Sequence, residues 1–218
     1  MTQLVTGSTA KVRLTAEREG PRYYGHLWVF DSNVAEVLGT PAAGDLVDVY
    51  THQKRFFGRG LFNPHSKIRI RMLTFQEEPI DDEFFAARLR AAAALRRTVA
   101  PHATACRLVH GESDLLPGLV VDRYGDVLVA QIGTAGMEAM KQEILDALVK
   151  VVAPRAILWK NNSAIRELEG LERYVETAFG DPGGHAWVEE NGVRFKVSLV
   201  AGQKTGWFYD QSANRRAF

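Results

Sequence analysis

Cysteine is almost missing from this chain: Cys106 is the only one in 218 residues. No disulfide can form within the chain, and a reducing cytoplasm fits that composition. A lone Cys can serve as a nucleophile, but no partner sequence marks this one; the alternative is a small core residue on a strand. Net charge is also nearly absent, because 27 Lys and Arg stand against 26 Asp and Glu to give +1. The molecule is therefore no polycation, and any nucleic-acid contact must come from a local patch. No apolar run reaches the roughly 18 residues of a membrane span, and the first residues, Met1–Thr15, hold no apolar signal core. The six histidines, His26, His52, His65, His102, His110 and His185, are scattered without metal-ligand spacing, which predicts no zinc site. No Ser-His-Asp or Cys-His arrangement, internal repeat or low-complexity tract is visible.

What is present is a run of short strands over residues 10–75. Lys11–Thr15 and Asp45–His52 alternate, Leu27–Phe30 is a compact apolar run, and Arg55–Asn63 follows. Lys67–Leu73 has near-perfect period two, with Ile68, Ile70 and Met72 on one face and Lys67, Arg69 and Arg71 on the other. Gly44-Asp45, Gly58, Gly60 and Asn63-Pro64 punctuate the strands as turns or bulges. Five or six such strands predict a small barrel.

Composition then changes. Ile80–Ala100 reads as an amphipathic helix, acidic at Asp81 and Asp82, basic at Arg96 and Arg97, with Phe84, Phe85, Leu89 and Leu95 on the apolar side. Cys106–Ile132 reads as strands around a tight turn at Tyr124-Gly125-Asp126, Met137–Val152 as a second helix, Ala156–Lys160 as a strand, and Ala186–Val200 as a hairpin turning at Glu190-Asn191-Gly192.

Three groups of residues carry candidate chemistry. Lys67, Arg69 and Arg71, with Lys54, Arg55 and Arg59 and the aromatics Tyr23, Tyr24, Phe56 and Phe57, suit RNA, whose phosphates need cations and whose unstacked bases need rings. The alternative is a solvated or edge-protecting strand face. Glu112, Asp114 and Asp122 offer carboxylates for acid–base work, or else simply order a loop. Gly202 and Gly206 bracket Lys204 and Thr205, but the spacing does not match a phosphate loop and fits a connecting turn.

Three motifs occur together in order: Gly25–Val34 with Arg59–Thr74 (GHLWVFDSNV, RGLFNPHSKIRIRMLT), then Gly111–Asp126 (GESDLLPGLVVDRYGD), then Gly202–Arg215 (GQKTGWFYDQSANR). With these the chain resembles bacterial S-adenosylmethionine-dependent 23S ribosomal RNA cytosine-5 methyltransferases that carry an N-terminal PUA domain. The resemblance implies an α+β fold class: a PUA-like barrel over 1–78, a connecting helix over 79–101, a central strand-strand-helix-strand-strand α/β domain over 102–200, and a motif at 201–218 leading toward a Rossmann-like catalytic domain that is itself expected to be absent. It implies RNA contacts at Tyr24, His26, Lys54, Arg55, Arg59, Lys67, Arg69 and Arg71. It implies a latch beside S-adenosylmethionine made by Lys204, Thr205, Trp207, Phe208, Asp210 and Gln211, with Phe208 or Trp207 near the adenine. No catalytic residue is assigned, and Cys106 does not inherit the family's nucleophile role. Ser212 stands where many members have Arg, and Leu115 where many have Gly.

The implied partner is RNA, in the family the large-subunit ribosomal RNA; no membrane partner is implied, and neither monomer nor homodimer is excluded. The last residues, Ala213–Phe218, look like a helix opening without its stop signals. The sequence reading is thus the RNA-recognition part of a methyltransferase, truncated before its catalytic core, inactive and binding no cofactor alone, with residues 201–218 mobile. The alternatives are a stand-alone RNA-binding adaptor, or a hydrolase built on Glu112, Asp114 and Asp122.

Overall fold

The fold is seen in a computed structural model that describes residues 10–19 and 25–217. Its first unit is a six-stranded sheet in the order β2-β6-β5-β4-β1-β3. The strands are β1 (Lys11–Leu14), β2 (Trp28–Phe30), β3 (Val34–Leu38), β4 (Leu46–Tyr50), β5 (Phe56–Phe62) and β6 (Ile68–Thr74). All neighbours are antiparallel except β1 and β4, which pair in parallel. Alternation drives the inward face: Val12, Leu14, Val29, Val47, Val49, Ile70 and Met72 are wholly buried.

The second unit is a five-stranded sheet in the order β11-β10-β9-β8-β7. Its strands are β7 (Ala105–His110), β8 (Leu119–Tyr124), β9 (Val127–Ile132), β10 (Ala156–Asn161) and β11 (Tyr174–Gly180). β9 and β10 run parallel, and the connection between them carries helices α2 (Ala135–Ala139) and α3 (Lys141–Val152). Parallel neighbours require such a crossover. Every residue of β10 is buried, because both faces of the sheet are covered. Ile157 and Trp159 face the layer made by α3 and α1 (Asp82–Val99), whereas Ala156 and Leu158 face the hairpin β12 (His185–Glu190) and β13 (Val193–Ser198). Asp81 caps α1 by accepting from the Phe84 amide at 2.9 Å.

This architecture corrects the expected fold class. A chain without a Rossmann-like part was expected, yet β9, its crossover helices and β10 form a β-α-β unit of Rossmann type inside a five-stranded sheet. The strand-strand-helix-strand-strand pattern also fails in detail. Three strands, β7, β8 and β9, precede the helices; the strand-by-strand reading passes over β11, whose polar sequence hides a strand, and the expected hairpin at 186–200 forms its own two-stranded layer. Two smaller differences have plain causes. The expected helix Met137–Val152 is broken at Met140 into α2 and α3. Leu95 is 53% exposed because α1 buries the stripe through Phe85, Leu89 and Ala92 instead.

The two units share one core. Leu46, Leu61 and Leu73 from the first sheet pack with Phe85 and Leu89 of α1 and with Met137 of α2. Gly136 makes the close approach: a methyl group there would lie 2.3 Å from Leu61 Cβ.

Candidate functional site

The polar seam between the two sheets is organised by Glu169, which is 5% exposed. Its carboxylate accepts from Arg71 Nη2 at 2.7 Å, Asn63 Nδ2 at 2.9 Å and Ser66 Oγ at 3.0 Å. A second tie crosses nearby, where the Trp28 indole N–H donates to Glu112 Oε1 at 2.8 Å. Burial pulls the Arg71 guanidinium below its usual pKa, and Glu169 and then Glu112 oppose that shift. A cleft of about 400 Å³ opens along the seam, lined by Trp28, Ile68 and Arg71 on one side and by Glu112, Ile132, Asn161 and Ile165 on the other.

The expected RNA-contact residues do not form one exposed stripe. Arg71 is only 9% exposed and ion-paired, because the outer face of β6 packs against the second unit instead of facing solvent. Arg59 is bound to Asp48 at 2.8 Å and to the Glu78 carbonyl. Arg69 is half-buried, donates to the Pro64 carbonyl and lies 5.9 Å from the Phe62 ring centroid. Lys54, Arg55 and Lys67 do face solvent. His26 is exposed; its Nδ1 accepts from the Trp28 amide at 3.1 Å and its ring stands edge-on to the Trp28 ring. Tyr24 lies outside the described residues.

The carboxylates of the Gly111–Asp122 segment are held apart for separate tasks. Asp114 takes both arms of Arg96 and also accepts from the His110 amide at 2.6 Å. Asp122 is wholly buried and takes Arg107 in a fork, at 2.9 and 3.0 Å. Glu112 holds Trp28. No two of them share a proton-transfer geometry, so nothing favours the hydrolase alternative. Burial raises the Cys106 thiol pKa, the opposite of an activated nucleophile. Among the described residues no group of three His, Cys, Asp or Glu is placed to hold a metal ion.

The expected latch is held against the second unit by hydrogen bonds. The Thr205 hydroxyl is buried and donates to Asp122 Oδ2. Tyr209 donates to the Arg123 carbonyl at 3.1 Å, and the wholly buried Lys160 donates to the Gly202 carbonyl. Burial lowers the Lys160 pKa. Burial first, and Asp122 second, push Tyr124 up to about 12; burial and then Tyr124 also raise Tyr209. Trp207 borders the open cleft beside Phe208; its indole donates to Glu190 at 3.1 Å, Phe195 packs 4.9 Å away and Arg215 lies 4.4 Å over the ring. Lys204 sits 4.3 Å over the Phe208 ring. Lys204, Phe208 and Asp210 line an open cleft of about 620 Å³ together with Arg96, Arg107 and His110. Gln211 lies beside it, bonded to Asp210 at 3.4 Å.

Comparison with known proteins adds to this geometry. Residues 12–75 match the family model of the PUA-like domain. Ribosomal RNA large subunit methyltransferase I of Alteromonas mediterranea is 40% identical over 212 residues, covering 96% of this chain and 53% of the relative. The protein of the same description from Vibrio cholerae is 37% identical over 210 residues, covering 95% and 53%. The chain thus spans about half the length of the curated relatives it matches. Among solved structures, one described as an S-adenosylmethionine-dependent methyltransferase from Streptococcus mutans superposes with a TM-score of 0.78 at 19% identity, covering 95% of this chain and 53% of that one. Another, described as a methyltransferase complexed with SAH, reaches 0.75 at 20% identity, covering 94% and 52%. These two likenesses concern the fold, and they extend over both sheets of the chain.

Proposed function

We propose that the chain recognises RNA and positions it for S-adenosylmethionine-dependent methylation of large-subunit ribosomal RNA, in the cytoplasm. The observation that carries the proposal is identity of 37–40% to ribosomal RNA large subunit methyltransferases along 95–96% of the chain, joined to a PUA-like match over residues 12–75. Cytosine-5 as the modified position rests on the motif resemblance alone. The barrel, to residue 78, supplies RNA contacts through the solvent-facing Lys54, Arg55 and Lys67 beside His26; residues 79–101 connect it to the central unit at 102–200.

The 201–218 segment faces the cofactor side. When bound, S-adenosylmethionine supplies the methyl group. The residues present fit one wall of such a site: an exposed Asp210 carboxylate suits the ligand's cationic groups, and Phe208 offers an aromatic face. Trp207 and Phe208 both line the open cleft; Trp207 carries three contacts, to Glu190, Phe195 and Arg215, so Phe208 is the ring we assign to adenine.

Filter binding of structured ribosomal RNA fragments across a salt series tests the RNA part. Phosphate contacts release counterions, so affinity should fall steeply with salt. Changing Lys54, Arg55 and Lys67 together to Glu should weaken binding across sequences and flatten the slope. An unchanged slope would remove the barrel patch from the proposal. Calorimetry with S-adenosylhomocysteine tests the second part: saturable heat that Phe208→Ala abolishes supports the wall, and absence of heat removes it while leaving the RNA part standing.

A further inference from the structure

The seam cleft carries chemistry that the RNA-contact and cofactor assignments leave unused. It lies at the carboxyl ends of β9 and β10, where Ile132 and Asn161 line it. Crevices outside the carboxyl ends of parallel strands are where open α/β sheets take ligands. Its volume, about 400 Å³, admits one small planar group and excludes a duplex. Apolar side chains make much of its wall: Trp28, Ile68, Val120, Ile132 and Ile165.

Polar side chains stand among them, and Arg71 and Glu112 bring the opposite charges. Arg71 lines the cleft, and its Nη1 is buried with no hydrogen-bond partner among the described residues, while Nη2 is held by Glu169. A buried unpaired donor is costly unless something accepts from it. Glu112 lines the opposite side; one of its oxygens fixes the Trp28 indole, and a carboxylate has a second acceptor oxygen. Charge decides what kind of acceptor fits. Arg71 already faces two carboxylates, Glu169 and Glu112. A phosphate would add a third anion beside one cation, which Coulomb repulsion opposes at short range. A neutral planar group with an acceptor for Arg71, a donor for Glu112 and a face for Trp28 meets these three at once, and a second acceptor on it would serve Asn161 Nδ2, which is also buried without a partner among the described residues. Nucleobases have that edge pattern, and unpaired ones are read by stacking and edge hydrogen bonds.

We infer that the seam cleft between the barrel and the β-α-β sheet holds one unpaired nucleobase of the bound RNA. This rests on the RNA reading proposed above and extends it from the exposed lysines to a pocket that distinguishes unpaired from paired RNA. The backbone of the RNA then runs past the solvent-facing cations while one base is turned inward at the seam.

The test uses the 218-residue chain and a short single-stranded RNA carrying 2-aminopurine, whose fluorescence falls on stacking, with a blunt duplex of the same sequence as the second ligand. Ile165→Trp fills the cleft from its rim, where Ile165 is 47% exposed, and Ser163→Tyr fills it from an adjacent exposed position. Each should weaken single-strand binding by at least about tenfold, in line with the loss of one stacked base, and should change duplex binding by no more than about twofold, as for ordinary surface substitutions. Ile165→Val should leave both affinities as they are. Equal loss for both RNAs, or no loss for either, would overturn the inference. Adenosine that binds the wild type but not Ile165→Trp, with single-strand RNA unaffected, would assign the cleft to a free nucleoside and overturn its RNA role. Failure of the wild type to bind any RNA would overturn the broader RNA reading instead.

Discussion

Replacing Glu169 by Ala should produce a large loss of stability for a substitution outside the apolar core. Glu169 and Arg71 are both nearly closed to solvent, with side chains 5% and 11% exposed, and the pair is 2.7 Å apart. Removing one member of a buried pair leaves the other charge uncompensated, which costs about 3–5 kcal/mol. Arg71 borders the seam cleft, so water can reach it in the variant, and the lower end of that range applies. Asn63 and Ser66 lose an acceptor as well, each worth about 1 kcal/mol when it is not replaced. A total of about 5 kcal/mol translates into a fall in Tm of roughly 10–20 °C for a protein of this size. Urea denaturation followed by far-UV circular dichroism gives the free energy, and calorimetry gives the Tm. The control is Arg71→Met combined with Glu169→Leu, which removes both charges and should recover more than half of the loss. A single-variant cost under about 1 kcal/mol, the range of exposed pairs, would refute the reasoning. So would a double variant no more stable than Glu169→Ala.

Three further outcomes follow from particular contacts. The Tyr124 phenol is raised from 10.0 to about 12, so its contribution to stability is complete below pH 10 and is lost as the pH climbs toward 12. Tyr124→Phe should therefore reduce the slope of stability against pH in that window by up to about one proton, and an unchanged slope in alkaline urea titrations would contradict the burial seen here. Thr205→Ala should cost about 1–3 kcal/mol by taking a donor from buried Asp122; hydrogen exchange through Gly206–Tyr209 should accelerate with it, and unchanged exchange would argue against docking through this bond. Leu115 holds a left-handed backbone, φ 59°, at the position where the resembled family often has Gly. Leu115→Gly should leave the Tm unchanged or raise it by a few degrees, since relief of about 1–2 kcal/mol of strain outweighs the entropic cost of Gly, roughly 0.5–1 kcal/mol, and the side chain is 47% exposed. A marked fall in Tm would disprove that account.

Much of the fold is legible in local pattern, and the exceptions share a cause. Ile70 and Met72 alternate as a strand must, and α1 starts at its acidic cap. Alternation reports which residues share a face but not what covers the second face. Arg71 therefore reads as solvent-exposed although the turn that carries Glu169 covers it. Its partner Glu169 sits 98 residues away in a segment that looks like an ordinary polar turn, and no local signal could join them. β11 is concealed for a related reason: it is the edge strand of its sheet, with most of its residues at least partly exposed, so its hydrophobic pattern is weak. The latch composition is visible, but its docking depends on Asp122, whose burial comes from strand pairing and from Arg107 across it. At Leu115, where the resemblance implies Gly, the departure in sequence coincides with a left-handed backbone angle.

The shared core has a consequence for anyone treating the barrel as a transferable module. Leu46, Leu61 and Leu73 belong to the same apolar cluster as α1 and α2, and Gly136 lets α2 press directly against Leu61. A barrel cut out after residue 78 would carry those three leucines and an unpaired Arg71 on a newly bared surface. Such a surface is adhesive, and the excised piece should self-associate. Grafting the recognition unit onto another enzyme would therefore require transplanting α1 and the Gly136 contact with it, so the natural unit of exchange is larger than the sequence match to the PUA-like family suggests.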